Sequence, residues 1–361
     1  MPVEKLQAVA LLEKDTNGDT MWTWVYPALD ATWRELLQRK SGLEAASATV
    51  ELPAFVYGRF ADTYFYIVNL VTSPGAPEGE TPSPAAPDSS DLPVLPRVTA
   101  FSLVLLAKEF HPEKYEAIAR LCAAEYTTSK GNTVAVVQAY LNIFTLGRHG
   151  DFAEEQYDIR KSYLGASLKN VIQTFGLETI LLYAALLLKK RVVVYADTLD
   201  TLYDFVRPLP LLVWHRQNWD SLRPYVSVND SELADLAASG NFVAGFTDEN
   251  IENHSDLYDV FVNVNTKSVS LAPHAQESLA LGKVHKELAT FLTQVAADEA
   301  RSESAVVKAI AVRTGELLTK IRSLTDESGR VTYDSLKALE LPPSSINFLW
   351  NVALSEAIAH P

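Results

Sequence analysis

Apolar and polar positions alternate near the start of the chain and take up helical spacing further on. Residues 9–12 read as a strand, and 21–26 as its return. Between them Asp15-Thr-Asn-Gly18 is a hairpin turn, because Asn-Gly accepts positive φ at both central positions. Leu29, Trp33, Leu36 and Leu37 then share one face of a helix, and 55–57, 63–71 and 98–106 supply further strands. This order predicts an antiparallel sheet with helical cover over residues 1–107.

A second pattern follows. Pro112 and Glu113 open a helix carrying Tyr115, Ile118, Leu121, Cys122 and Tyr126. The next helix, 132–144, carries the stripe Val134, Val137, Leu141 and Phe144. Residues 177–188 form an almost wholly apolar helix that stops on Lys189-Lys190-Arg191 and turns into the Val-rich segment 192–195. A strand with no polar alternation belongs at the centre of a sheet covered on both faces. Asp197 is expected to cap a helix with Leu199, Leu202, Tyr203 and Val206, ended by Pro208 and Pro210. After the aromatic and basic run Val213-Trp-His-Arg-Gln-Asn-Trp219 come strands at 242–246 and 258–264, so a mostly parallel sheet is expected over 108–274. From 275 the spacing is helical to the end, with stripes through Leu288 and Val295, through Ile310 and Ile321, and through Leu349 and Val352. The fold class is α/β, α+β when the whole chain is counted.

Residues 73–96 hold seven of the eighteen prolines and little large apolar surface, too little to offset the entropy of ordering them. They read as a disordered excursion between two strands. The 177–188 helix is shorter than the roughly 20 residues that span a bilayer. A net charge of −14 argues against nucleic-acid binding and against general attraction to anionic membranes. One cysteine, Cys122, forbids an intramolecular disulfide and suits a reducing compartment; its helix spacing marks it as a buried thiol. The N-terminal residues carry no signal-peptide pattern, which sets the expectation of a cytoplasmic protein, and no self-complementary stripe argues against a monomer.

The search for chemistry is barren. No phosphate-binding glycine loop, nucleophile elbow or His-Glu-x-x-His string occurs, and the seven histidines have no metal-ligand spacing. Asp15, Asn17 and Asp19, and the stretch 326–336, touch on calcium loops without their ligand series. No cofactor and no metal is expected. What remains is surface chemistry that combines charge with aromatics: Asp158, Arg160 and Lys161; Lys189, Lys190 and Arg191; Trp214, His215 and Arg216. Arginine and tryptophan favour interface anchors. The plainer reading makes Lys189 to Arg191 a helix cap, His215 a structural hydrogen-bonding group, and Trp214 and Trp219 core residues.

Several colinear segments resemble the DENN domain family, and within it the compact family of DENN domain-containing protein 10. They are Leu12-Glu-Lys-Asp-Thr-Asn-Gly18, Lys108-Glu-Phe-His-Pro-Glu-Lys-Tyr115, Asp158-Ile-Arg-Lys-Ser-Tyr-Leu164, Val213-Trp-His-Arg-Gln217 and Asp256-Leu-Tyr-Asp-Val-Phe-Val-Asn263. The resemblance covers the chain apart from 73–96. It implies a longin-like lobe at 1–107, a central DENN α/β lobe at 108–274 and a helical downstream subregion at 275–361. It also implies guanine-nucleotide exchange on a Rab GTPase held in the cleft between the first two lobes, in late endosomal or endosomal trafficking. Membrane association would then be indirect. The alternative it implies is a non-catalytic scaffold docked on the coiled-coil subunits of the endosomal Commander assembly.

Overall fold

A computed structural model of the chain describes residues 5–46, 51–74, 94–325 and 330–359. They form two compact units, Met1–Ser162 and Tyr163–Pro361.

The first unit is built on β1 (Leu6–Asp15), β2 (Thr20–Tyr26), α1 (Ala31–Ser41), β3 (Phe55–Phe60), β4 (Thr63–Val71), β5 (Val98–Ala107), α2 (Pro112–Thr128) and α3 (Thr133–Leu146). Its five strands run antiparallel in the order β2-β1-β5-β4-β3, with Leu11 opposite both Trp24 and Leu103. Strand β4 is buried on both faces along most of its length, so the sheet is covered on each side. On one face Asn69 donates to the carbonyls of Ser41 and Pro53 at 2.9 and 2.7 Å, tying the end of α1 to the strand. Side chains one residue apart on a strand point to opposite faces. Accordingly Tyr66 meets α2, its ring 4.7 Å from that of Tyr115 and its hydroxyl donating to the Glu109 carbonyl at 2.8 Å. Helices α2 and α3, expected in the central lobe, pack in this unit: α2 lies on β4 and β5, and α3 lies on α2. Ser73–Pro74 pairs with Val94–Leu95, and the remainder of the proline-rich excursion, 75–93, lies outside the described residues.

Helix α3 departs from the expected face. It buries Val136, Ala139, Tyr140 and Ile143, while Val134, Leu141 and Phe144 of the predicted stripe are exposed, with Leu146 beyond them. The helix has no charged residue, so two apolar stripes share its spacing and only the packing on α2 chooses between them.

The second unit contains α4 (Leu168–Phe175), α5 (Thr179–Leu187), β6 (Val192–Tyr195), α6 (Leu199–Val206), β7 (Leu222–Arg223), α7 (Asp230–Ala237), β8 (Val243–Phe246), β9 (Val260–Asn263), β10 (Ser268–Leu271), α8 (Lys283–Ala297), α9 (Glu303–Arg322) and α10 (Pro343–Ser355). The strand order is β7-β8-β6-β9-β10; only the β10 edge is antiparallel. Val193 sits between Ala244 and Phe261, and all four residues of β6 are buried, as its unbroken apolar run predicts. Gly245 lets β8 approach its neighbours: a Cβ there would lie 2.3 Å from the Pro224 carbonyl oxygen and 3.0 Å from Val206. Helices α8 and α9 pack on α4, and α9 also lies along the 3₁₀ segment Leu209–Arg216 that holds the aromatic and basic run.

One local expectation changes. The cap of α6 is Thr198, whose hydroxyl accepts from the Thr201 amide, while Asp197 instead accepts from the Tyr195 hydroxyl at 2.7 Å and from Asn265 at 2.6 Å. Helix α7 and strand β10 carry no apolar stripe strong enough to announce themselves. The stretch Ile159–Leu187 has the length and composition of a membrane span, yet 61% of its apolar window is buried inside the fold, and the chain breaks at Gly176 (φ 54°) before α5. Of the weak calcium-like stretch 326–336, residues 326–329 lie outside the described residues; Tyr333–Lys337 is a helical turn capped by Thr332.

Candidate functional site

The cations that follow α5 divide into those that hold the fold and those that do not. A helix ends with unsatisfied carbonyls. Here Lys189 takes a left-handed φ of 52°, its amide donates to Leu186 O at 3.1 Å, and the Lys190 amide donates to Ala185 O at 2.8 Å. That pair of bonds is a Schellman closure, with lysine where glycine is usual. Arg216 then completes the helix end from the side. Its guanidinium donates to Leu186 O at 2.7 Å and to Leu187 O at 2.6 Å, and Ser355 Oγ donates to Leu187 O at 2.9 Å.

Arg216 is held in turn by Glu356. Its Nε donates to Glu356 Oε1 at 2.9 Å, and His215 Nε2 lies 3.0 Å from the same oxygen. Burial pushes the Glu356 carboxyl up, but the hydrogen bonds from His215 and Arg216 outweigh it and draw the pKa down to about 2. Arg191 is likewise engaged. Its backbone amide and Nε both donate to Asp259 Oδ2, at 2.8 and 3.2 Å, and Nη1 donates to Asp256 O at 2.9 Å. Burial raises the Asp259 carboxyl and the bonds from Arg191 more than offset it, so its pKa stays below the usual value. Trp214 is part of an aromatic cluster: its ring is edge-on to Trp219 at 5.7 Å, and Trp219 stacks on Tyr163 at 3.8 Å.

Asp158 folds back on its own turn, accepting from the Arg160 amide at 3.0 Å and from Arg160 Nε at 3.2 Å, which lowers its pKa. The Arg160 side chain is 79% exposed, and Lys161 is exposed beside it. These three close the first unit. In the second unit Lys189, Lys190 and Arg216 are brought together around one cleft of about 320 Å³, in which neither Arg191, Trp214 nor His215 takes part.

A surface that the sequence reading assigned to the core is the outer face of α3. Val134 is 67% exposed and shares that face with the exposed Leu141 and Phe144, while Leu146 ends the helix on another side. Phe144 stacks on Tyr140 at 6.0 Å, and Tyr140 meets Tyr26 of β2 edge-on at 6.0 Å, which carries the apolar surface onto the sheet edge. Contiguous exposed apolar surface of this kind marks interaction sites. The available signal was the charge-free composition of α3. Among the described residues no group of His, Cys, Asp or Glu could hold a metal ion. Cys122 is buried, and burial pushes its thiol up to about 12.

The α/β architecture is consistent with a DENN-like fold. Residues 165–273 match the family described as stabilization of polarity axis. The chain is 39% identical over 362 residues to DENN domain-containing protein 10 of Danio rerio, covering 98% of each. It is 39% identical to the human protein of that name (96% of this chain, 95% of the relative), and 34% identical to that of Dictyostelium discoideum (97% of each). The chain belongs to the DENN domain-containing protein 10 family.

Proposed function

We propose that the protein is a guanine-nucleotide exchange factor for a Rab GTPase, with the outer face of α3 as part of the surface that binds the GTPase. The observation that carries this reading is the exposed Val134, Leu141 and Phe144 stripe on a helix without a single charge, in a chain of DENN family membership. Exchange needs no covalent chemistry from the factor. It requires tighter binding to the nucleotide-free GTPase than to the GDP-bound one, and the difference in affinity appears by linkage as weakened GDP binding. Apolar contact with the GTPase switch regions supplies that difference without a metal or a nucleophile.

The test is release of fluorescent GDP from purified Rab proteins, followed with and without this chain. Acceleration confined to one or a few of them, and lost in Val134→Asp/Leu141→Asp, supports the reading. Flat traces across all of them overturn it. Charge reversal at Arg160 is a usable second probe because that side chain is exposed; Arg216 is not, because its removal disturbs the end of α5.

A second reading is favoured by the spacing of the same stripe. Residues 134, 137, 141 and 144 are the i, i+3, i+7 set by which one helix lies along another. We place a coiled-coil partner of an endosomal assembly of the Commander type there as the alternative occupant, with the protein as a scaffold peripheral to late endosomes. Binding of such a helix pair by a chain that leaves every Rab trace flat selects this reading.

A further inference from the structure

The cleft beside the end of α5 has walls that donate more hydrogen bonds than they accept. Four cations line it, Lys189, Lys190, Arg216 and Arg223, against one carboxylate, Asp220. This is a local reversal of sign in a chain of net charge −14. The two guanidiniums are engaged: Arg216 with Glu356 and the α5 carbonyls, Arg223 with the Asp220 carbonyl at 2.9 Å and with Asp235 at 3.9 Å. The two ammonium groups are not. Neither Lys189 nor Lys190 has a hydrogen-bond or ion-pair partner for its side chain among the described residues, and Lys190 is only half exposed. Around them stand Asn241 and Ser221, both half-buried, and Asn218, whose Oδ1 already accepts from the Asp220 amide at 2.7 Å.

We propose that this cleft binds a phosphate monoester carried by a small molecule or a lipid headgroup. Its volume of about 320 Å³ falls in the range of small-ligand sites. The free donors are ammonium, amide and hydroxyl groups. A carboxylate is recognised best by the planar fork of an arginine, whereas lysine binds phosphate as a point charge. With both arginines committed to the fold, the remaining chemistry suits the three oxygens of a phosphate better than the two of a carboxylate.

The site can be tested on the full chain with three probes: a soluble inositol phosphate, phosphatidylcholine vesicles doped with phosphatidylinositol monophosphate, and charge-matched vesicles doped with phosphatidylserine. The expected result is binding of the phosphate probes that weakens about tenfold or more in Lys189→Met/Lys190→Met, since the two free ammonium donors are lost. Lys286→Met, on the exposed side of α8, should leave it unchanged. Equal binding of the soluble and vesicle-borne phosphate assigns the site to a free ester, and binding to the vesicles alone assigns it to a headgroup. Lysine acylation of the unaltered protein gives an independent readout. A bound inositol phosphate should protect Lys189 and Lys190 at least severalfold and spare Lys286. No protection, equal binding to phosphatidylserine vesicles, or preference for a polyglutamate peptide would overturn the proposal.

Discussion

Arg216 and Glu356, separated by 140 positions in the chain, meet at 2.9 Å, and the same guanidinium closes the carboxyl end of α5. The pair therefore joins three elements of the second unit: the 3₁₀ segment that carries Arg216, the buried helix that leads into β6, and the end of α10. Both side chains are mostly buried, 18% and 12% exposed. Removing one partner of such a pair leaves the other charge uncompensated, at a cost of about 3–5 kcal/mol. Arg216→Met and Glu356→Gln should each lower the midpoint of denaturant unfolding by a correspondingly large amount. The double variant should lose less than the sum. Additive losses in that cycle would show that the two do not act as a unit.

The same carboxylate gives an acid limb to stability. Its folded pKa, about 2, lies below the ordinary glutamate value of 4.5. Its contribution is thus complete above about pH 4.5 and is lost as pH falls towards 2. Acid unfolding of Glu356→Gln should be shallower than that of the parent across this window.

His285 acts at milder pH. Its Nδ1 accepts from the Gly282 amide at 2.9 Å and its ring lies 4.2 Å from that of Phe348, with burial drawing the pKa from 6.5 to about 4. The folded state resists a proton that the unfolded state takes up. Stability should be full above pH 6.5 and decline as pH falls towards 4. His285→Gln should flatten that decline, which denaturant curves at several pH values would reveal.

Gly245 is set by close approach, not by a turn. Gly245→Ala puts a methyl group 2.3 Å from a backbone oxygen, so β8 must move. The expected cost is about 1–3 kcal/mol or more, measured as a fall in thermal midpoint. An unchanged midpoint would mean that Pro224 and its neighbours yield freely.

On α3 the expectation reverses. Val134→Asp and Leu141→Asp replace exposed side chains that support no core, and stability should stay within about 0.5 kcal/mol. Partner binding should fall at least tenfold, since a carboxylate would be desolvated in an apolar contact. Titration of the partner against each variant, beside its unfolding curve, separates the two effects.

Much of the fold was legible in local pattern. The 15–18 hairpin turn (with positive φ at Gly18 but not, as expected, at Asn17), the unbroken Val192–Tyr195 run, Pro112 at a helix start and the stripes of α8 to α10 all depend on near neighbours, and each gives the expected element. Short or polar elements, such as β10 and α7, were not legible because their place is set by a neighbouring strand or helix. The sequence also singled out charged and aromatic residues without being able to sort them. Lys189, Lys190 and Arg191 are adjacent in the chain, yet Asp259 takes Arg191 while the two lysines border a cleft of about 320 Å³. Arg216 was a candidate interface residue until Glu356 and the α5 carbonyls, all distant in sequence, met it. Which face of α3 is core was undecidable from apolar spacing alone, because 134/137/141/144 and 136/139/140/143 both recur at helical spacing. Periodicity, caps and turns are properties of neighbouring residues and are written in the chain. The choice of ion-pair partner and of the face left to solvent depends on long-range packing, and only the tertiary structure settled it.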